Sequence, residues 1–287
     1  MEDKWKRRGG EKVMEQKEAE HVPYLSFPIL EKTGLVKQGF STKEGGVSQG
    51  KFASMNFTFT RGDNPDHVME NYRRMGKALG VDVEKMVLSY QTHTTNVRLV
   101  TKEDAGKGIT KERDYMDVDG LITNVPGITL VTFYADCVPL YFLDPVQRAV
   151  GLSHSGWRGT VNRMGAVTAK RMEREFGSRT SDLIACIGPS ICRDCYEVGS
   201  EVAGEFMKEF DRRHWQDLLV DKGNGKYLLD LWKANELVML EAGIRKENIQ
   251  VTDICTHCNS DLLFSHRTTG NERGNLAAFL GLCGQCY

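Results

Sequence analysis

The sequence predicts a mixed α/β (α+β) fold, a single-domain sandwich of mixed β-sheets covered by helices. Three observations carry that reading. Short apolar runs rich in β-branched and aromatic residues fill the middle of the chain. Helical periodicity with glycine stops follows in the second half. No Ser/Gly/Pro-rich linker, low-complexity tract or clear internal repeat divides the chain after about residue 20. At 287 residues it is long enough to bury a core that needs no disulfide staples.

The opening segment, residues 1–20, carries six basic and six acidic side chains among few apolar ones, which predicts a charged mobile arm or a solvated helix. The domain then spans residues 21–287. Met86–Tyr90, Val97–Thr101, Gly127–Tyr134, Pro139–Leu143 and Ala149–Ser153 read as strands. Val161, Met164, Val167, Met172 and Phe176 roughly track one helical face, and Gly177 supplies its C-cap. Leu183–Ile187 reads as a further strand. Glu201–Phe210 and Leu229–Ala242 read as helices, the second stopped by Gly243, before strands near Ile249–Ile254 and Leu276–Leu280. Strands joined by short turns favour a mixed sheet over a purely parallel one.

Composition excludes several classes of function. With 38 Lys+Arg against 39 Asp+Glu, the formal charge of -1 provides no long-range field for nucleic acid or an acidic bilayer, and no local basic patch replaces it. The longest weakly polar stretch, Gly120–Pro139, is interrupted by Asn124, Pro126 and Asp136, so no membrane span is expected. Without an apolar stretch of the signal-peptide kind near the start, a cytoplasmic location is expected, where eight cysteines more often pack, react or bind metal than form disulfides.

The chemistry concentrates in Tyr134-Ala-Asp-Cys137 and Ser153-His-Ser-Gly-Trp-Arg-Gly159, separated by a turn at Asp144-Pro-Val-Gln147. If Asp144 and Gln147 face each other, Cys137 falls directly opposite His154, within reach of a common metal ion or of a thiolate–imidazolium pair. Pro145 suits a type I or II turn better than a tight hairpin, which leaves that register open. His93, in Gln91-Thr-His93 at a strand exit, offers a third ligand. Two imidazoles and a thiolate suit zinc and leave a fourth position for water or substrate; copper competes for the same donors. Taken singly, Cys137 reads better as a packed thiol and His154 as an ordinary strand-end histidine; their coincidence beside Asp136, Ser155 and Arg158 favours the functional reading.

Gly156-Trp-Arg-Gly159 precedes an expected helix, so its backbone N–H groups and Arg158 are placed to meet an anion, or else to make a glycine turn with Trp157 in the core. Three Cys-x-x-Cys pairs occur, at 192/195, 255/258 and 283/286. The last two offer the donors of a closed four-cysteine zinc site, but the 24 residues between them exceed the usual gap, and plain thiols are the favoured reading for most of these cysteines.

These motifs, with Phe40-Ser-Thr-Lys-Glu-Gly-Gly-Val-Ser48, Ser54-Met-Asn56, Gly62-Asp63, Ile187-Gly-Pro189, Cys195-Tyr-Glu-Val-Gly199, Cys255-Thr256 and Phe264-Ser265, occur in an order that resembles the YfiH-type family, also called laccase-domain or multicopper polyphenol oxidase-like proteins. The resemblance covers nearly everything after about residue 25. It implies a fold similar to the catalytic domain of cytotoxic necrotizing factor, with a metal on His93, Cys137 and His154. It also implies zinc-dependent phosphorolysis of purine nucleosides to base and ribose 1-phosphate, with related members deaminating adenosine or cleaving methylthioadenosine, and it carries an older polyphenol oxidase label. For phosphorolysis the expected parts are a phosphate clamp of Arg61 and Arg158, with Asp136 as a catalytic or ligand-orienting carboxylate. Alternatives are a metal-free hydrolase with Cys137 as nucleophile and His154 as base, and a binding or peptidoglycan-editing factor. Two departures from the family pattern bear on substrate contacts: Lys43 stands where Arg is common, and His266 replaces a Tyr.

Overall fold

The computed structural model describes residues 4–284. Two six-stranded sheets form its frame. The first has the order β1 (Glu15–Ala19), β2 (Val22–Ser26), β3 (Val36–Ser41), β15 (Leu276–Leu282), β7 (Thr129–Tyr134) and β4 (Met86–Leu88). The second has the order β14 (Ile249–Val251), β10 (Ile184–Ile187), β8 (Val138–Asp144), β9 (Ala149–Ser155), β6 (Gly120–Thr123) and β5 (Val97–Leu99). Both are mixed: β4 runs parallel to β7, β14 to β10 and β5 to β6, while the remaining ladders are antiparallel. A small antiparallel sheet, β11 (Glu197–Gly199), β13 (Lys226–Leu229) and β12 (Leu219–Gly223), stands apart.

The period-2 alternation of strands sorts the core into layers. Leu130, Ala278 and Leu280 of the first sheet meet Tyr141, Leu143, Val150 and Leu152 of the second in one cluster between the sheets. The alternate residues Val131, Ala277 and Phe279 face helix α1 (Pro65–Leu79), through its Val68, Tyr72 and Met75. On the far side, Leu140, Phe142, Ala185 and Ile187 pack against α2 (Met164–Phe176), α3 (Ser200–Glu209) and α4 (Leu231–Glu241). The result is a four-layer helix–sheet–sheet–helix sandwich. Strands buried on both faces need apolar residues at every position, which is why β8 and β15 read as near-continuous hydrophobic runs.

The structure corrects the sequence reading of the frame at two places. From Lys4 onward the opening segment packs on the domain rather than forming a mobile arm or a solvated helix: Trp5 and Met14 are buried, Trp5 Nε1 donates to Gln16 Oε1 at 2.9 Å, and β1 pairs antiparallel with β2. Its alternating charges line an edge strand, where solvent takes the polar face. Second, the β8–β9 register is offset by two residues. Asp144 pairs with Ala149, because Asp144 Oδ1 accepts N–H bonds from Val146 (2.8 Å) and Gln147 (3.0 Å) and thereby closes a four-residue loop. His154 therefore lies opposite Pro139, with Cys137 just outside β8. An even offset preserves the face on which each side chain lies, so Cys137 and His154 stay on the same side as diagonal neighbours.

Candidate metal centre and cleft

The chain leaves the first sheet at the end of β7 and enters the second at the start of β8 through only three residues, Ala135, Asp136 and Cys137. Asp136 takes a φ of 87°, a left-handed conformation that is uncommon for a residue with a side chain. It is held there by its surroundings: Asp136 Oδ1 accepts from Thr256 Oγ1 at 2.6 Å, Oδ2 accepts from the Arg267 N–H at 2.6 Å, and its carbonyl accepts from the Ile191 N–H at 3.0 Å. Both carboxylate oxygens of Asp136 are thus occupied in fixing the loop. This is a different place from the ligand-orienting one expected of it.

That orienting position belongs to Asp119, which the sequence reading did not single out. Its Oδ1 lies 2.8 Å from His154 Nδ1, and its two oxygens accept the backbone N–H groups of Thr92 (3.0 Å), His93 (3.1 Å) and Thr94 (3.0 Å). One fully buried carboxylate therefore fixes the His154 ring and also the loop that carries His93, itself at φ 66°. With Nδ1 engaged, the free Nε2 of His154 is the nitrogen available to a metal. The His93 and His154 ring centroids are 5.0 Å apart, and Cys137 Sγ lies 4.0 Å from His93 Nε2.

The ligand atoms of His93, Cys137 and His154 all lie within 4.8 Å of one another. A tetrahedral ion with bonds of about 2.0–2.3 Å separates its ligand atoms by roughly 3.3–3.8 Å, so a small inward movement closes the set on one ion. Gly156 makes room for this: a Cβ there would sit 3.1 Å from Cys137 Sγ and 3.1 Å from His93 Cδ2. The electrostatics couple the Cys137 thiol to the His154 imidazole. Burial opposes ionisation of Cys137, but the charge of His154 and hydrogen bonds from His154 and His93 prevail and bring the thiol down to about 6. Burial likewise opposes the charge on His154, and the facing thiolate and Asp119 together push it up to about 9. The thiolate, which is the form that binds metal, is thus already favoured, whereas His154 must release its proton to become a ligand.

The trio lies in a cleft of about 470 Å³. Its walls include Phe59, Tyr90 and Phe133 as aromatic faces and Arg61, Arg113 and Arg273 as cations. Arg273 is buried, and its Nε is a buried donor without a partner. Burial, then the like charge of Arg61, brings its guanidinium down to about 10. Arg61 lines the cleft, whereas Arg158 does not: Arg158 stacks over Trp157 at 4.3 Å on a five-residue helix, Trp157–Val161. Beside Arg61 and Arg113, the cleft holds Arg273, which the sequence reading did not single out. No signal marked it, since it is 212 residues from Arg61 in the sequence and carries no motif of its own. Lys43 is also away from the cleft, donating to the Ser260 carbonyl at 3.1 Å and lying over the Phe264 ring.

The cysteine pairs combine differently from the expectation. Cys192, Cys195, Cys255 and Cys258 form one cluster; Cys283 is not part of it, and Cys286 lies outside the described residues.

Fold and cleft together define a four-layer α/β sandwich with a candidate three-ligand metal site in a cleft of small-molecule size. The chain belongs to the multi-copper polyphenol oxidoreductase laccase family, whose model matches residues 37–283. It is 35% identical over 246 residues to the purine nucleoside phosphorylase YlmD of Bacillus subtilis, covering 85% of this chain and 87% of that one. It is 33% identical to adenosine deaminase RL5 of an unknown prokaryotic organism, over 83% of this chain and 90% of the relative. The crystal structure of YlmD from Geobacillus stearothermophilus superposes with a TM-score of 0.87 at 33% identity, covering 96% of this chain and all of that one. Among the described residues no helix is long and apolar enough to cross a membrane.

Proposed function

We propose that the protein is a zinc-dependent purine nucleoside phosphorylase, acting on inosine or adenosine with phosphate in a cytoplasmic setting. The observation that carries this reading is the joint placement, in one cleft, of the His93, Cys137 and His154 donors with the arginines Arg61 and Arg273. In phosphorolysis the C1′–N9 bond breaks, a phosphate oxygen forms the new bond to C1′, and the departing purine takes up a proton. A phosphate dianion is matched by Arg61 and by the unpaired Nε–H of Arg273, since guanidinium groups bind such oxygens in a charge-assisted fork. Phe59, Tyr90 and Phe133 offer aromatic surface against which a purine can stack. Zinc, when bound, supplies a Lewis acid beside the reacting centre. Asp119 keeps the His154 ring in its metal-binding tautomer, and Asp136 holds the Cys137 backbone in place.

The similarity to an adenosine deaminase supports deamination in the same cleft, because three protein ligands leave a coordination position open. Oxidase chemistry fits less well: four-electron reduction of oxygen calls for several coppers, and the trio offers ligands for one ion. Methylthioadenosine cleavage is a phosphorolysis with the same requirements. The test is a nucleoside panel incubated with zinc-loaded protein, with and without phosphate. Hypoxanthine and ribose 1-phosphate in equal amounts, formed only with phosphate and abolished by Cys137→Ala, are expected. Product formation that survives loss of all three ligands rules the reading out, and phosphate-independent inosine from adenosine would move the assignment to deamination. Stoichiometric covalent trapping of Cys137 by iodoacetamide in metal-replete protein would point instead to a cysteine hydrolase.

A further inference from the structure

We propose that Cys192, Cys195, Cys255 and Cys258 form a second, closed metal site, in which one zinc ion held by four thiolates fixes the loops that grip Asp136. The topology brings the two Cys-x-x-Cys turns together. β10 and β14 are parallel neighbours, pairing Ile187 with Val251, and their continuations stay side by side: the Thr252 N–H donates to the Ile187 carbonyl at 2.9 Å, and the Thr256 N–H to the Ser190 carbonyl at 3.1 Å. Each chain then turns through one Cys-x-x-Cys, so the four sulfurs face one another although 59 residues separate the pairs.

The sulfur positions suit a single ion. All four lie within 4.8 Å of one another, and Cys195 Sγ is 3.4 Å from Cys258 Sγ. Zinc–sulfur bonds of about 2.3 Å place tetrahedral sulfurs roughly 3.8 Å apart, and four cysteines of this kind make a closed structural site with no position for substrate. A polynuclear iron–sulfur cluster spreads its cysteines farther apart, and a disulfide would draw two of them to about 2.05 Å. Hydrogen-bond donors face the sulfurs. Cys255 Sγ accepts from the Cys192 N–H at 3.3 Å and the Cys258 N–H at 3.5 Å, while Arg8 Nη2 donates to Cys258 Sγ at 3.0 Å. Zinc with four thiolates carries a net charge of −2, and Arg8, which also pairs with Asp194 at 3.1 Å, offsets part of it. That contact joins the folded opening segment to the site, since the Arg8 N–H also donates to the Asp253 carbonyl at 2.7 Å.

The second site reaches the first through short links. Ile191, beside Cys192, donates to the Asp136 carbonyl, and Thr256, beside Cys255, donates to the Asp136 carboxylate. Cys137 is the next residue along the chain. A metal that stiffens the 192–195 and 255–258 turns therefore steadies the backbone that presents Cys137, without touching substrate.

Metal content of the intact chain, expressed and purified with zinc, tests this independently of the nucleoside reading. The wild type should hold about two zinc ions per chain, and a His93→Ala/Cys137→Ser/His154→Ala variant should keep about one. Replacing that remaining zinc by cobalt should give the intense sulfur-to-cobalt charge-transfer and tetrahedral d–d bands of a tetrathiolate site. The Cys195→Ser/Cys258→Ser variant should lose one zinc and bind the other about tenfold more weakly. A triple variant that carries no metal, with four thiols reacting freely with a disulfide reagent in the native state, would overturn the site. Retention of wild-type affinity at the His93 trio after loss of the second zinc would overturn its link to Asp136.

Discussion

Replacing Asp119 by Asn tests whether one carboxylate organises both histidine ligands. The side chain keeps its size, but only one of its two terminal atoms can still accept a hydrogen bond. If the amide nitrogen takes the Oδ1 place, it faces the His93 N–H and the protonated Nδ1 of a metal-bound His154; at the Oδ2 place it faces the N–H groups of Thr92 and Thr94. Either orientation sets a donor against two donors. Leaving a buried donor unsatisfied costs about 1–3 kcal/mol, so a loss of roughly 2–4 kcal/mol in stability is expected once partial relaxation is allowed. The ligands lose their alignment as well, and partners of this kind typically contribute 10–100-fold to metal affinity. Zinc affinity at the trio, measured by competition with a chromophoric chelator, should fall by that factor, and urea unfolding should show the stability loss. An affinity within threefold of wild type, in protein that is folded, would refute the assignment of Asp119 as the shared anchor.

Three further outcomes follow from the same structure. Gly156→Ala places a methyl group 3.1 Å from both Cys137 Sγ and His93 Cδ2, so it should weaken metal binding about tenfold while the backbone, at φ −72°, accepts alanine with little change in urea midpoint. Arg273→Lys removes a guanidinium fork that a point charge cannot replace, so phosphorolysis should show a KM for phosphate raised by about tenfold or more with the nucleoside KM little changed; equal effects on both would contradict a phosphate role. Asp104 is buried, which opposes its ionisation, yet Lys107, the Thr101 N–H and Arg98 hold its carboxyl down at about 2, below the ordinary value of 3.8. A carboxyl depressed in the folded state stabilises fully above the unfolded value and loses that contribution as the pH falls through 2. Asp104→Asn should therefore cost about 2 kcal/mol at pH 7, with the gap from wild type closing at acid pH, and should leave zinc affinity at the trio unchanged.

Much of this arrangement was legible in the sequence, and the rest escaped for identifiable reasons. Apolar runs located β7, β8, β9 and β15 because strands buried on both faces tolerate little else. The helix Pro65–Leu79 was missed although Asn64-Pro65 and Gly80 cap it, because charged residues surround the apolar stripe of Val68, Tyr72, Met75 and Leu79. The direct Cys137–His154 pairing was wrong by two residues and still placed both on the right face, since strand geometry repeats every two. Asp119 and Arg273 join the site from distant parts of the chain, and no spacing rule links them to it. The cysteine pairs were matched by separation along the chain, whereas a parallel strand pairing matches 192/195 with 255/258.

The position of the candidate centre follows from the way the two sheets are joined. Consecutive strands β7 and β8 belong to different sheets, and packed sheets stand about 10 Å apart, so the three residues between them must cross that gap nearly directly. Such a crossing leaves no slack. It accounts for the left-handed Asp136, for the three hydrogen bonds that hold it, and for a thiol delivered at the open end of the sandwich rather than into the core. β4 runs parallel to β7 and ends at the same edge, which brings the loop carrying His93 to that opening, and β9 brings His154 from the second sheet. The three ligands thus come from both sheets and converge only if the sheets keep their spacing. Core substitutions between the layers, such as truncation of Tyr134, whose hydroxyl donates to the Ser153 carbonyl at 3.1 Å and whose ring lies against His154, should therefore weaken metal binding even though they touch none of the donor atoms.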